Sequence, residues 1–215
     1  VTTSTTGSGN IRYNAGTTIT VGSLSTAGSV SLKGTAITDS GTTEIDLTAT
    51  RLRIEASIQA GAGTNHLETS VTTLSANVGS GGLFLTETDG ITVDTVAAVV
   101  VNRVKTDGAA TDSTVTDSEQ SDLISTGALV LQTTNGTITI NGGGDTTGVS
   151  AAGNILVKAQ GATSDLAVNA LVTSTGNISL NAGHNINQNA DLTVTAGAGS
   201  VDLIASVNIV MADNT

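Results

Sequence analysis

Apolar and polar residues alternate along this chain in a phrase that keeps returning: a glycine, a small polar residue, a β-branched residue, any residue, an apolar residue. It occupies 9–13, 28–32, 136–140, 153–157, 176–180 and 199–203, and 43–47 repeats it without the glycine. The glycines stand 19 residues apart from Gly9 to Gly28, 17 from Gly136 to Gly153, and 23 from Gly153 to Gly176 and from Gly176 to Gly199. Alternation with period two marks a strand with one buried face. Ile11, Val30, Ile45, Ile138, Ile155, Ile178 and Val201 are therefore predicted to point inward and to stack in one or two columns.

Each interval holds further short strands. Between Gly176 and Gly199 they are Ile178/Leu180, Ile186 and Leu192/Val194, divided by the turn sequences 181–184 and 187–190. The preceding interval reads Ile155/Val157, Leu166/Val168, then Leu171 or Val172. Strands this short do not pair stably alone, but they do when each lies on its equivalent in the next period. This is the arithmetic of an all-β parallel β-helix, a β-solenoid in which each period is one coil. At roughly 20 residues per coil the chain makes about ten coils. No stretch carries apolar residues at helical spacing, and the prevailing Thr, Val, Ser and Gly are middling or poor helix formers.

One stretch departs from the pattern within what otherwise reads as a single solenoid unit, 1–215. The apolar run 96–101 is predicted as a strand on a wide face, and an irregular acidic excursion follows near 102–122, its polar part spanning 105–122. Asp107, Asp112, Asp117 and Asp122 recur every five residues, with Glu119 among them. Such carboxylates suit calcium, a hard cation that takes oxygen ligands; the competing reading is a solvated loop that keeps the molecule soluble. Gly142–Asp145 is one partial match to a calcium-binding glycine repeat and reads as a corner turn.

Composition narrows the chemistry. Threonine supplies 39 residues and glycine 26, with no cysteine, no proline, one Tyr, one Phe and a net charge of −11. Absence of cysteine excludes disulfides, thiolate metal sites and thiol catalysis. Absence of proline suits a fold in which nearly every backbone N–H enters a ladder. Two aromatic side chains leave little to stack on a sugar ring. The seven basic residues form no stripe, which disfavours nucleic acid and anionic membranes as partners. The longest apolar run, 96–101, is far short of the roughly 20 residues of a membrane-spanning helix. His66 and His184 are predicted at exposed corners without a paired acid. Arg51 and Arg53 share one side of a strand, with Glu44 and Asp46 placed one strand earlier to form a surface ion-pair patch. No catalytic, cofactor-binding or metal-binding residue is assigned.

The phrases 175–183 (TGNISLNAG), 83–93 (LFLTETDGITV) and 135–140 (NGTITI) resemble the repeat regions of giant filamentous-haemagglutinin-like bacterial surface adhesins. The resemblance implies a right-handed parallel β-helix, export to the cell surface or beyond, and a structural or adhesive role, with no catalytic residues to carry over. The expectation is a structural tandem-repeat unit of an extracellular fibre or adhesin stalk. The alternative is a β-helical carbohydrate-active or receptor-binding domain of a large exoprotein. Copies of itself, stacked head to tail, are the expected partners, with a host or neighbouring cell surface as another. Reading the C-terminus onto the N-terminus keeps a 23-residue interval from Gly199 to Gly7, and neither end shows a cap.

Overall fold

The structure, a computed structural model, describes residues 1–41 and 44–213, and no side chain over 110–113. Position 43 of the glycine-free phrase, the side chain of Asp112 and the join at 215 thus lie outside the described residues. Every described element is a strand. All but two of them belong to one sheet wound into a parallel β-solenoid of about nine turns.

Three stacks of strands run along the axis. The first carries Ile11–Asn14, then the front of Ser29–Asp39, where Ile11 lies beside Val30 and Tyr13 beside Leu32. It continues through Leu47–Ala60 and Leu67–Val78, Val30 meeting Leu52 and Leu52 meeting Leu74. Leu123–Ser125, Thr147–Ala151, Leu171–Ser174 and Leu192–Val194 complete it. The second stack ends with Leu129–Thr133, Ile155–Ala159, Ile178–Ala182 and Val201–Ala205, where Ile155, Ile178 and Val201 form one column. The third ends with Ile91–Val93, Ile138–Ile140, Leu166–Val168, Asn185–Gln188 and Asn208–Met211. The recurring phrase therefore serves two of the stacks: Ile155, Ile178 and Val201 share a column of the second, while the column of Ile11 and Val30 passes through Leu52 and Leu74 to Val93 and Ile140 in the third, where Ile138 stands in a neighbouring column.

Inside these stacks Val30, Leu32, Leu52, Leu74, Leu85, Leu131, Ile138, Leu166 and Ile178 are sealed from solvent. Each fully buried side chain of this size stabilises by about 1.5–3 kcal/mol. Five of the seven residues predicted inward are buried; Ile45, at 41% exposed, and Val201, at 44%, are not. Ile45 precedes its strand, which starts at Leu47 and sets Leu47 on Leu24. Val201 keeps its register on Ile178 but sits in the last described coil, with no described strand on its other side.

The phrase glycine has a steric cause. At the coil corners successive backbones almost touch: a Cβ on Gly176 would lie 3.0 Å from the Gly153 carbonyl carbon, and one on Gly199 only 2.6 Å from the Gly176 oxygen. Only glycine permits that stacking distance.

The excursion does leave the coils, but it is ordered as a β-hairpin rather than irregular. Val99–Val104 pairs antiparallel with Ala110–Asp117 in a sheet of their own, and Val96 bridges Gln120. The run 96–101 is thus not a strand on a solenoid face. Its exit is narrow: Val93 lies on Leu74 and Leu123 lies on Ala76. Residues 94–122 stand where a regular coil would place a single residue opposite Ser75.

Candidate functional site

The hairpin is a strap laid back across the outside of the first coils. Arg12, Ser31 and Arg53 are successive outward residues of the first stack. Asp117 accepts two bonds from Arg12, from Nε at 2.8 Å and Nη2 at 2.9 Å, and one from the Ser31 hydroxyl at 2.7 Å. Arg53 donates to the Ser118 carbonyl at 2.9 Å, Gln120 to the Ile54 carbonyl at 2.9 Å, and Asn10 to the Val100 carbonyl at 3.0 Å. Burial disfavours charge on Asp117, but the bonds from Arg12 and Ser31 outweigh it and hold the carboxyl below its usual range.

This arrangement disperses the predicted acidic cluster. Asp107 caps the hairpin turn by accepting from the Ala109 N–H at 2.9 Å, Asp117 is consumed by Arg12, and Asp122 re-enters the coil buried. Asp122 has φ of 66°, an unusual conformation for a residue with a side chain. Burial, with the charges of Asp145 and Asp94, pushes its carboxyl up to about 6. The predicted patch of Arg51 and Arg53 with Glu44 and Asp46 is not formed either. Arg53 turns to Glu55 at 2.8 Å, which also pairs with Lys33 at 2.7 Å, while Arg51 and Glu44 are exposed. The turn at 142–145 does form as expected, with the Asp145 N–H donating to the Gly142 carbonyl at 2.9 Å.

A carboxylate cluster that sequence spacing does not reveal lies on another face. Asp39 closes the strand Ser29–Asp39, Asp46 precedes Leu47, and Glu68 lies one coil above Asp46. Their oxygens fall within 4.8 Å of one another, the one group of this kind among the described residues. The Glu68 N–H donates to Asp46 Oδ2 at 3.1 Å, and the Gly41 N–H to Asp39 Oδ1 at 2.6 Å. Asp39 Oδ2 and Glu68 Oε2 are buried without a partner among the described residues. Burial, reinforced by the contact with Asp39, pushes Asp46 up to about 8, and burial with the Asp39 charge raises Glu68. The oxygens are of the kind a hard cation takes; a shared proton relieves the same repulsion.

Glu87 is the other buried acid. It points inward beside Thr69, whose hydroxyl donates to it at 2.6 Å, and the Val71 N–H adds a bond at 3.1 Å. Burial lifts its carboxyl to about 7 against those donors.

The histidines are less bare than the sequence suggests. His184 Nδ1 pairs with Asp165 Oδ1 at 2.8 Å, so a partner acid exists one coil back. His66 Nδ1 shares a 2.9 Å bond with the Thr86 hydroxyl.

The remaining outer surface is organised as polar ladders. Asn177 donates to Asn154 and accepts from the Ser200 N–H and hydroxyl, both 2.9 Å and 23 residues on. Asn141 bonds Asp94, Asn169 bonds Asn141 and Asn189 bonds Asn169 at 2.8–3.0 Å. Comparison with protein-family models, curated proteins and solved structures found no match.

Proposed function

We propose that this chain is a non-catalytic structural unit of an extracellular bacterial fibre or adhesin stalk. The observation that carries the reading is the doubled axial ladder. Backbone bonds join every described coil to the next, and side-chain ladders such as Asn141–Asn169–Asn189 run alongside them. Each rung is weak, about 0.5–1.5 kcal/mol net for a typical hydrogen bond, but the rungs repeat in every coil and resist separation together. A rod with this construction suits spacing and load-bearing, and its outer Thr, Ser and Asn keep it wet. Immunogold labelling of intact producing cells with antibody to the chain tests the reading. Label along filaments outside the cell supports it; label confined to the cell interior overturns it.

A further inference from the structure

The outward column beneath the strap runs Arg12, Ser31, Arg53, Ser75. Asp117 answers its first two members. The last two are answered only in part. Arg53 is 6% exposed and Ser75 0%, yet Arg53 Nη1 and Ser75 Oγ have no hydrogen-bond partner among the described residues. The two residues are paired in register on adjacent parallel strands, so their side chains leave the sheet on one face, about 4.8 Å apart at the backbone. The strap closes that face: Arg53 Nε reaches the Ser118 carbonyl, and the neck of the strap stands opposite Ser75. A guanidinium N–H only donates, and the group stays charged at any ordinary pH. The charges around it do not balance. Arg53 and Lys33 share the one carboxylate of Glu55, at 2.8 and 2.7 Å, while Asp117 is engaged by Arg12. Glu119, next to Ser118, is exposed, and Asp122 feels Asp94 and Asp145 rather than Arg53. One positive charge is thus left over under a cover that keeps bulk water from it, and an uncompensated buried charge is costly.

We propose that Arg53 Nη1 and Ser75 Oγ together bind a small monovalent anion of the size of chloride, between coil and strap. A water molecule satisfies the two donors but leaves the charge surplus; an anion removes both. Enclosure sets the size. The other partnerless buried side-chain atoms among the described residues are carboxylate oxygens of Asp39, Glu68 and Asp122, so no third donor waits for the further oxygens of an ion such as sulfate. The bond from Arg53 is charge-assisted, the stronger kind. The same guanidinium grips the Ser118 carbonyl, so an anion that fixes it also fixes the strap on the coils.

Urea unfolding at one fixed ionic strength tests this, with sodium chloride replacing sodium gluconate, an anion too bulky to enter. A ligand that binds only the folded chain raises its stability with concentration, whereas screening is alike for the two salts. The unmodified chain is compared with Ser75→Ala, which removes one donor and no charge, and with Arg53→Met, which removes the charge. Far-ultraviolet circular dichroism checks that both are folded; if Arg53→Met is not, Ser75→Ala decides alone. Any general effect of the salts on unfolding is shared by the variants, so the gap in midpoint between chain and variant is the readout. That gap is expected to widen steadily as chloride rises from about 5 to about 500 mM, and bromide should widen it as chloride does. A gap that stays constant for either folded variant overturns the proposal: the two donors then face water only, or the anion binds elsewhere.

Discussion

Arg12 and Asp117, 105 residues apart in the chain, clasp each other through two bonds of 2.8 and 2.9 Å beneath the strap. Both side chains are nearly closed to solvent. Removing one partner leaves a buried charge unpaired, which costs about 3–5 kcal/mol. Asp117→Ala is therefore expected to lower stability by that order, with Ser31 also losing its acceptor. Urea unfolding measures the loss. Replacing both partners with apolar residues, Arg12→Met with Asp117→Leu, should restore much of it, since no orphaned charge remains.

The inward columns set a second expectation. Ile178 lies between Ile155 and Val201 and is sealed, whereas Ile204, beside Asn181 on the outer side of the last described coil, is 52% exposed. Ile178→Ala should destabilise by about 2–5 kcal/mol, and Ile204→Ala by well under 1 kcal/mol, as for surface substitutions generally. Equal urea midpoints for the two variants contradict the column.

The coil pattern was legible because it is local. Ile155, Ile178 and Val201 repeat at 23 residues and share a column, and the corner glycines announce where backbones touch. Ile45 was misread because period two predicts facing only inside a strand, and here the strand opens two residues later, at Leu47. The strap was legible as a departure but not as a hairpin. Its arm Ala110–Asp117 alternates Thr, Asp and Ser rather than apolar residues, since it is anchored through Asp117 instead of an apolar face. Contacts between coils were invisible until the stacking was known: Asp46 meets Glu68 at 22 residues and Asp165 meets His184 at 19.

The raised carboxyls predict an unusual dependence on pH. Asp46 is lifted to about 8, Glu87 to about 7 and Asp122 to about 6, in each case first by burial. Between about pH 4 and 8 the folded chain thus holds protons that the unfolded chain has released, and stability falls as pH rises through that window. Asp117, Glu55 and Asp165 have lowered values. Their contribution is present above the ordinary carboxylate range and is lost only as pH drops below about 4. Urea midpoints are expected to be higher at pH 5 than at pH 8. Asp46→Asn should narrow that difference by keeping the site neutral at both; an unchanged difference contradicts the burial argument.

Trypsin should find the strap first, and at one place. Of the basic residues, Arg12 and Arg53 are largely covered and bonded, and Lys33 pairs with Glu55. Arg51 is exposed but lies within the long strand Leu47–Ala60, paired on both sides. Protease needs a stretch of extended backbone free of its ladder, and exposed loop tips offer it most readily. Lys105 meets that condition: it opens the hairpin turn, where its N–H bonds only the Ala109 carbonyl at 3.1 Å. The first cut is therefore expected after Lys105, or after the neighbouring exposed Arg103. The two pieces should remain together on a sizing column, because Asp117 still grips Arg12 and Leu123 still lies between Ala76 and Val149. In Asp117→Ala the downstream arm loses that grip, and the cut after Lys105 should come faster. Initial cleavage within 153–205 instead, where Lys158 sits in the strand Ile155–Ala159, means that the coils open before the strap does.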